Sequence, residues 1–567
     1  MTSTVAEVVA AALQRHGVTD VFGQSMPSKA MLAAEDRGIR QIGYRTEHAG
    51  GAMADGYARA SNRVGVVGAQ NGPAAALLVA PLAEALKASV AVVALVQDIP
   101  RSGRDRNAFQ ELDHLELFAP CAKWVRRIDD AARVDDYLDM AFTAAASGRP
   151  GPAVLLFPKD LLADSADPGA PRSASLGRFP LDRTRPDGPT VRRAAELVAG
   201  AENPLVIAGG GVHLSGAAGE LAELQALASV PVATTVMGKG AVDETHPLST
   251  GVIGQLAMGA RGRTAHLREW LSSADVVLLV GTRTNENGTG AWELLPRDAT
   301  YVHVDVDGAE IGRNYEALRL VGDARLTIRD LTLQLGALDL GKREQRAGAV
   351  AATIAEAIGR HADEVADVAH ADAAPLRPER VMRELDHVLT PDSIVVADAS
   401  YSTIWVADYL WARRAGQRFI APRGLAGIGW GLPLALGAKA AEPRAPVICV
   451  SGDGGFGHVW AEIETSVREA LPVVILLLDN ATLGYQKHAE LYQFEAHTEA
   501  VELRAVDHAA IARACGAEGV RVEEPDQLAP ALERALAADR TTVIDVATDP
   551  DAYPPIVGWD DAAVLAR

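Results

Sequence analysis

VICVSGDGGFGHVWAEIETSVREALPVVILLLDNATLG, residues 447–484, decides the fold class and points to the chemistry. Two apolar, β-branched runs, VICVS and VVILLLD, are joined by the helix-length segment EIETSVREA and by Pro472. Runs that are apolar throughout, without alternation, suit strands buried on both faces of a parallel sheet. Neighbouring parallel strands end side by side, so Asp453 after the first run and Asn480 after the second converge. A carboxylate, an amide oxygen and a nearby backbone carbonyl make a hard oxygen site suited to Mg2+. Gly452, Gly454, Gly455 and Phe456 are expected to line the ligand site, the glycines letting backbone N–H groups approach a phosphate at the start of the following helix. The expected ligand is a magnesium diphosphate. GDG alone reads as a tight turn; the second polar strand end at this distance is what makes it a site.

The same strand–helix alternation recurs outward along the chain, in VGVVGA (64–69), VAVVALV (90–96), AVLLFP (153–158), PLVIAGG (204–210), VVLLVG (276–281), IVVAD (394–398) and TVIDV (542–546). It implies α/β architecture with helices on both faces of parallel sheets. Two Pro- and charge-rich stretches, 164–190 and 371–379, read as linkers. They divide the 567 residues into units of about 1–165, 190–345 and 378–555, with a short tail at 556–567. Three doubly wound domains are therefore expected.

A net charge of −20 disfavours nucleic acid or an anionic membrane as partner. Three scattered cysteines, Cys121, Cys449 and Cys515, exclude a disulfide framework or zinc cage and fit a reducing cytoplasm. The first residues read as an amphipathic helix entering a strand, with no basic n-region, and no apolar run reaches membrane-spanning length.

GDG, 24 residues, then DN resembles the thiamine-diphosphate signature of the acetohydroxyacid synthase and pyruvate decarboxylase superfamily. Asp479 departs from the usual NN ending, and Asn480 keeps the ligand position. The resemblance implies that the carbonyl of Thr482 completes the metal ligands. YRTEHAGGAMADGYARAS (44–61) resembles the pyrimidine-domain helix and puts Glu47 on the catalytic glutamate. A carboxyl group there stabilises the imino tautomer that deprotonates the thiazolium. GLAGIGWGLPLALGA (424–438) resembles the segment that bends the cofactor, with Ile428 as the apolar wedge. Tyr401 and Ser402 fall where the family contacts the diphosphate, and Leu483-Gly484 open the segment that governs substrate choice. Gly72-Pro73, in QNGP, and Gln110, in AFQE, match active-site loops of the first unit. The three units are implied to be pyrimidine-binding, central nucleotide-binding-like and diphosphate-binding domains. Because Glu47 and the diphosphate motif come from different subunits in this family, a homodimer or homotetramer with its active site at the interface is implied.

In the middle unit Gly210 and Gly211 follow a strand, and Arg283, Asp305 (VDVD) and Asp323 (GDA) resemble pieces of the family's nucleotide site. Arg283 is kept but its flanking aspartates are lost, so FAD and an ADP or coenzyme A moiety are both open. Beyond Gly484, Ala489 stands near a bulky Trp of the synthases, and Glu490 resembles the acid–base glutamate of 2-hydroxyacyl-CoA lyases. The reading therefore leans to cleavage of a 2-hydroxyacyl-CoA into formyl-CoA and a carbonyl compound. Acetolactate synthase-type condensation of 2-oxo acids is the alternative, and an inactive nucleotide-binding paralogue is a third.

Overall fold

The computed structural model describes residues 3–167 and 170–559. Three six-stranded sheets form in succession along the chain, each wholly parallel. The expected apolar runs supply their centres: Val92–Asp98, Val276–Val280 and Val474–Asp479 are buried along their full length. Edge strands are wetter, as at Trp124–Arg127 and Glu518–Val522. Helices cover both faces, so every central strand loses water on both sides.

Numbered within each domain, the first and third sheets have strand order 2-1-3-4-6-5, and the middle sheet has 3-2-1-4-5-6. The first domain's strands run from Asp20–Gly23 to Ala153–Pro158, the second's from Pro204–Ala208 to Ala317–Val321, the third's from Ile394–Ala397 to Thr542–Ala547. A short antiparallel pair, Ser3–Thr4 with Ser165–Ala166, ties the chain start to the end of the first domain. The amphipathic opening helix is Val5–Arg15, started by a Thr4–Glu7 capping box. The last eight residues of the proposed tail 556–567 lie outside the described residues.

The first linker stretch is pinned on both sides: Gly177 accepts from Val64 N at 2.8 Å, and Arg183 pairs with Asp323 at 2.8 Å. A 29-residue helix, Gly341–Ala369, leads towards the third domain. The first and third domains meet most extensively through the helix pair Glu47–Ser61 on Gly431–Ala441. The approach is close enough that a Cβ on Gly56 would overlap the Leu434 carbonyl, and one on Gly437 the Met53 carbonyl. No helix among the described residues is long and apolar enough to cross a membrane.

Candidate active site

In an order 2-1-3-4 the chain leaves strand 1 to one side and strand 3 to the other, which opens a crevice at their C-terminal ends. In the third domain these are the ends of Ile394–Ala397 and Val447–Gly452. A cavity of about 510 Å3 lies there, lined by Tyr401, Ser402, Ile428, Gly452, Gly454 and Gly455, and by Asp453, Asn480, Thr482, Leu483 and Gly484. The strands of Asp453 and Asn480 are neighbours, with Gly452 opposite Leu478. Asp453 is 6% exposed. Burial, and then the charge of Asp479, push its carboxyl up to about 6. The Asn480 amide oxygen faces the same turn and accepts from Thr482 N at 3.2 Å. One under-compensated carboxylate beside two neutral oxygens is a donor set that fits a hard dication. Gly454 leaves room beside it that a Cβ would fill, 2.6 Å from the Leu483 side chain, and a Cβ on Gly455 would overlap the Asp398 carboxylate. The missing side chains let backbone approach the cavity closely, as a diphosphate requires.

Asp479, the departure from NN, does not face the cavity. Its carboxylate pairs with Arg521, whose guanidinium also holds Asp545 at 2.8 Å, with His508 alongside. Asp479, His508 and Asp545 lie within metal-chelating distance of one another, but Arg521 already bridges the two carboxylates. The extra negative charge next to Asp453 is thus countered from the edge strand.

Two carboxylates that sequence reasoning missed set the loop carrying Ile428. Asp398, 1% exposed, accepts from Ala399 N at 2.8 Å, Gly429 N and Trp430 N at 3.0 Å, and Ser451 Oγ at 3.1 Å. Glu84 reaches in from the first domain, accepting from Gly424 N at 2.7 Å and Ala426 N at 3.3 Å. Glu84 also meets Arg59 at 3.3 Å, and Arg59 pairs with Asp55 on the Glu47 helix. A third, Glu462, accepts from Arg45 N at 3.0 Å and Thr46 N at 3.2 Å, holding the start of that helix. Asp398 had a signal, an acid directly after an apolar strand. Glu84 and Glu462 sit in helical stretches where surface carboxylates are common, and nothing local marks them.

Glu47 opens helix Glu47–Ser61 and is half-buried. The two loops matched in the first domain do come together: Gln70 Nε2 donates to Gln110 Oε1 at 2.8 Å, and Gly72 N donates to His114 Nε2 at 2.9 Å. His114 in turn meets Asp98 at 3.1 Å. Pro73 begins the next helix. None of Glu47, Gly72, Pro73 and Gln110 lines the cavity of Asp453 in the same chain.

Two expected site residues do not line the cavity. Phe456 is fully buried and stacks edge-on against His508 at 5.8 Å, so it belongs to the core beneath the turn. Glu490 also lies outside the cavity, because the helix Gly484–Phe494 turns it towards the following loop. It accepts from Gln486 Nε2 at 2.9 Å and Thr498 N at 2.7 Å, and these bonds, Gln486 first, hold its carboxyl below the usual range. An acid–base group needs the opposite shift and access to the substrate. The residue of that helix buried towards Tyr401 is His488, whose Nδ1 lies 2.7 Å from the phenol oxygen.

In the central domain, Gly210, Gly211, Arg283, Asp305 and Asp323 line a second cavity, again at the switch point of the sheet. Burial pushes Asp305 up to about 6. Asp323 is already committed: it caps helix Ala324–Leu335 through Leu326 N at 3.1 Å and accepts from Ser215 Oγ at 2.7 Å. Its part in that cavity is to shape the wall.

The chain matches the thiamine pyrophosphate enzyme family in three consecutive blocks: the N-terminal TPP binding domain over residues 3–117, the central domain over 191–331, and the C-terminal TPP binding domain over 398–546. It is 33% identical to the probable acetolactate synthase large subunit of Methanocaldococcus jannaschii, covering 97% of this chain and 93% of that protein. It is 31% identical to an acetolactate synthase of Arthrospira platensis (98% and 96%) and 30% identical to the acetolactate synthase isozyme 2 large subunit of Escherichia coli (96% and 95%). With a crevice lined by Asp453, Asn480 and the Gly454-Gly455 turn in the third domain and likeness along nearly the whole chain, this protein belongs to the thiamine pyrophosphate-dependent enzymes of the acetolactate synthase type.

Proposed function

We propose that the protein decarboxylates one 2-oxo acid and joins the remaining acyl unit to the carbonyl of a second, as in acetolactate synthesis. The observation that carries this is the Asp453–Asn480–Thr482 oxygen set beneath the Gly454-Gly455 turn, in a chain alike over its full length to proteins named acetolactate synthase. The lean to 2-hydroxyacyl-CoA cleavage rested on Ala489 and Glu490; Glu490 bonded to Thr498 outside the cavity, and relatives named acetolactate synthase, favour the 2-oxo acid reading.

Bound in the crevice, thiamine diphosphate supplies a nucleophilic thiazolium carbon and an electron sink for breaking and making carbon–carbon bonds. Asp453, Asn480 and the Thr482 carbonyl would hold Mg2+, with Tyr401 and Ser402 at the facing strand end. Ile428 would be the apolar wedge against the cofactor, on a loop that Asp398 and Glu84 clamp. Glu47 from a second protomer would be the acid that exchanges a proton with the cofactor, and Gln110 would donate to the substrate carbonyl. The active unit is then a homodimer or homotetramer. The central cavity would take a nucleotide, FAD or an ADP or coenzyme A moiety, with Arg283 on a phosphate and Asp305 among the lining residues.

The test is mass spectrometry of products after incubating the protein, Mg2+ and thiamine diphosphate with pyruvate or with a 2-hydroxyacyl-CoA. Acetolactate from pyruvate is expected. Formyl-CoA from the thioester, with pyruvate untouched, overturns the reading.

A further inference from the structure

The cofactor cavity and the central cavity share two lining residues, Arg423 and Asn287. Arg423 is the one Lys or Arg among the described residues that line the cofactor cavity. It directly precedes the loop that Glu84 and Asp398 clamp, so its backbone is well fixed. Its guanidinium makes no ion pair and donates no side-chain hydrogen bond among the described residues. Burial lowers its pKa, and the groups that act on it electrostatically are Glu84 and the Tyr485 phenol. Glu84 already serves Arg59 and the backbone of the loop. The other carboxylates at the cavity are Asp398, saturated by N–H donors, and Asp453, which faces the metal position. A partly buried cation with no anion of its own chain left to it is a costly arrangement unless a ligand brings the anion.

We propose that Arg423 determines specificity by holding the carboxylate of the acceptor 2-oxo acid, with Tyr485 and Asn287 beside it. This rests on the 2-oxo acid reading above. In that reaction the donor's bond to its carboxylate breaks and CO2 leaves. The donor's carbonyl carbon becomes bonded to the acceptor's carbonyl carbon, whose oxygen takes one proton. Two 2-oxo acid anions and H+ thus give one 2-hydroxy-3-oxo acid anion and CO2, with no net oxidation. The acceptor carboxylate stays charged from start to finish, so a fixed guanidinium stabilises it throughout. The same guanidinium on the donor carboxylate would oppose its departure as neutral CO2, since it would favour the ground state.

The test uses full-length protein loaded with Mg2+ and thiamine diphosphate, pyruvate as donor, and 2-oxobutyrate or its neutral methyl ester as acceptor. The wild type is expected to prefer the acid by at least about 100-fold in kcat/KM. Arg423→Gln should cut that preference at least about tenfold, mostly through the acceptor KM, and Arg423→Lys should restore part of it. CO2 release from pyruvate with a saturating aldehyde acceptor should change less than about threefold, and calorimetric thiamine diphosphate affinity less than about twofold. An unchanged acid-to-ester preference in Arg423→Gln overturns the assignment alone. Roughly tenfold weaker thiamine diphosphate binding overturns it by moving Arg423 to the cofactor. ADP binding lost without a change in preference overturns it in favour of the central nucleotide. No CO2 from pyruvate in the wild type overturns the reaction reading, and the assignment with it.

Discussion

The first and third domains are two copies of one topology, 2-1-3-4-6-5, and in the proposed reaction they divide the work of one site between them. In the third, the turn after strand 3 and the end of strand 4 carry Asp453 and Asn480. In the first, the equivalent ends carry Gln70–Pro73 and Asp98, and the conspicuous acid, Glu47, has moved back to the start of the helix before strand 3. The equivalent helix of the third domain is Gly431–Ala441, the one on which the Glu47 helix packs. The pair therefore meets through equivalent elements. The difference teaches that the sheet supplies only a place, the crevice at the strand ends, and that the side chains put there decide whether it holds a charge or moves a proton.

Breaking that division from either side should give the largest effects. Asp453→Ala removes the only anionic oxygen of the proposed metal set, and thiamine diphosphate retention should fall by about 100-fold or more in calorimetry with Mg2+. Glu47→Gln keeps the shape, so cofactor affinity should stay within a few-fold while turnover drops about 10²-fold or more. If Glu47→Gln loses the cofactor instead, the two domains do not divide the labour as described.

A middling effect is expected at Glu84, the first-domain carboxylate that reaches the third domain's loop. Glu84→Gln keeps an acceptor but removes the charge facing Arg59 and several N–H donors, in a site that is 0% exposed. Hydrogen bonds to a charged group are worth about 1.5–3 kcal/mol. Cofactor affinity should therefore fall about tenfold, without the collapse expected at Asp453. Unaltered affinity would mean that the Ile428 loop stands without help from the first domain.

The small residues at the helix crossing come next. Gly437→Ala puts a methyl into the Met53 carbonyl with no flexible side chain to yield. Overpacking of this kind costs about 1–3 kcal/mol, to be read as a lower denaturant midpoint. Ala435→Ser, on the same helix, is also fully buried and serves as a poor control; Gly457→Ala, outside the crossing with ordinary contacts near 3.4 Å, is the better one and should move the midpoint less.

What the sequence made legible follows from how each feature is encoded. The three sheets were readable because fully buried parallel strands need continuous Val, Ile and Leu runs, as in VVILLLD. Asp453, Asn480 and the glycines were readable because chemistry at a strand end leaves polar residues next to an apolar run. Glu490 misled because a helix position fixes spacing but not which way the helix faces, and the loop at Thr498 took its carboxylate. Phe456 misled because one side of a glycine turn faces the ligand and the other the core. Glu84 and Arg423 were invisible for a different reason: the partners of Glu84 lie hundreds of residues away, the two cavities that Arg423 lines belong to different domains, and no local pattern records either.

The smallest effect tests whether the third domain meets the central one as it meets the first. That contact is polar: Lys239 and Arg263, both paired with Glu244 inside the central domain, donate across to the Leu410 carbonyl and, from the Arg263 backbone, to Asp408, and all four charged residues are buried. Asp408 Oδ1 accepts from Arg263 N at 2.8 Å, while Oδ2 has no partner. Burial pushes its carboxyl up to about 7, against the partial relief that Arg263 gives. The folded state thus holds a proton that the unfolded chain releases near its ordinary value, so between about pH 4 and 7 stability falls as pH rises. Above pH 7 the cost of the buried charge is fully present. Asp408→Asn keeps the Oδ1 acceptor and removes that charge. It should raise the unfolding temperature at pH 8 by about 2–4 °C and give no gain at pH 4.5. An equal shift at both pH values would mean the carboxylate is already neutral or already paid for by Arg263, and the second interface would then be as indifferent to charge as the glycine crossing of the first.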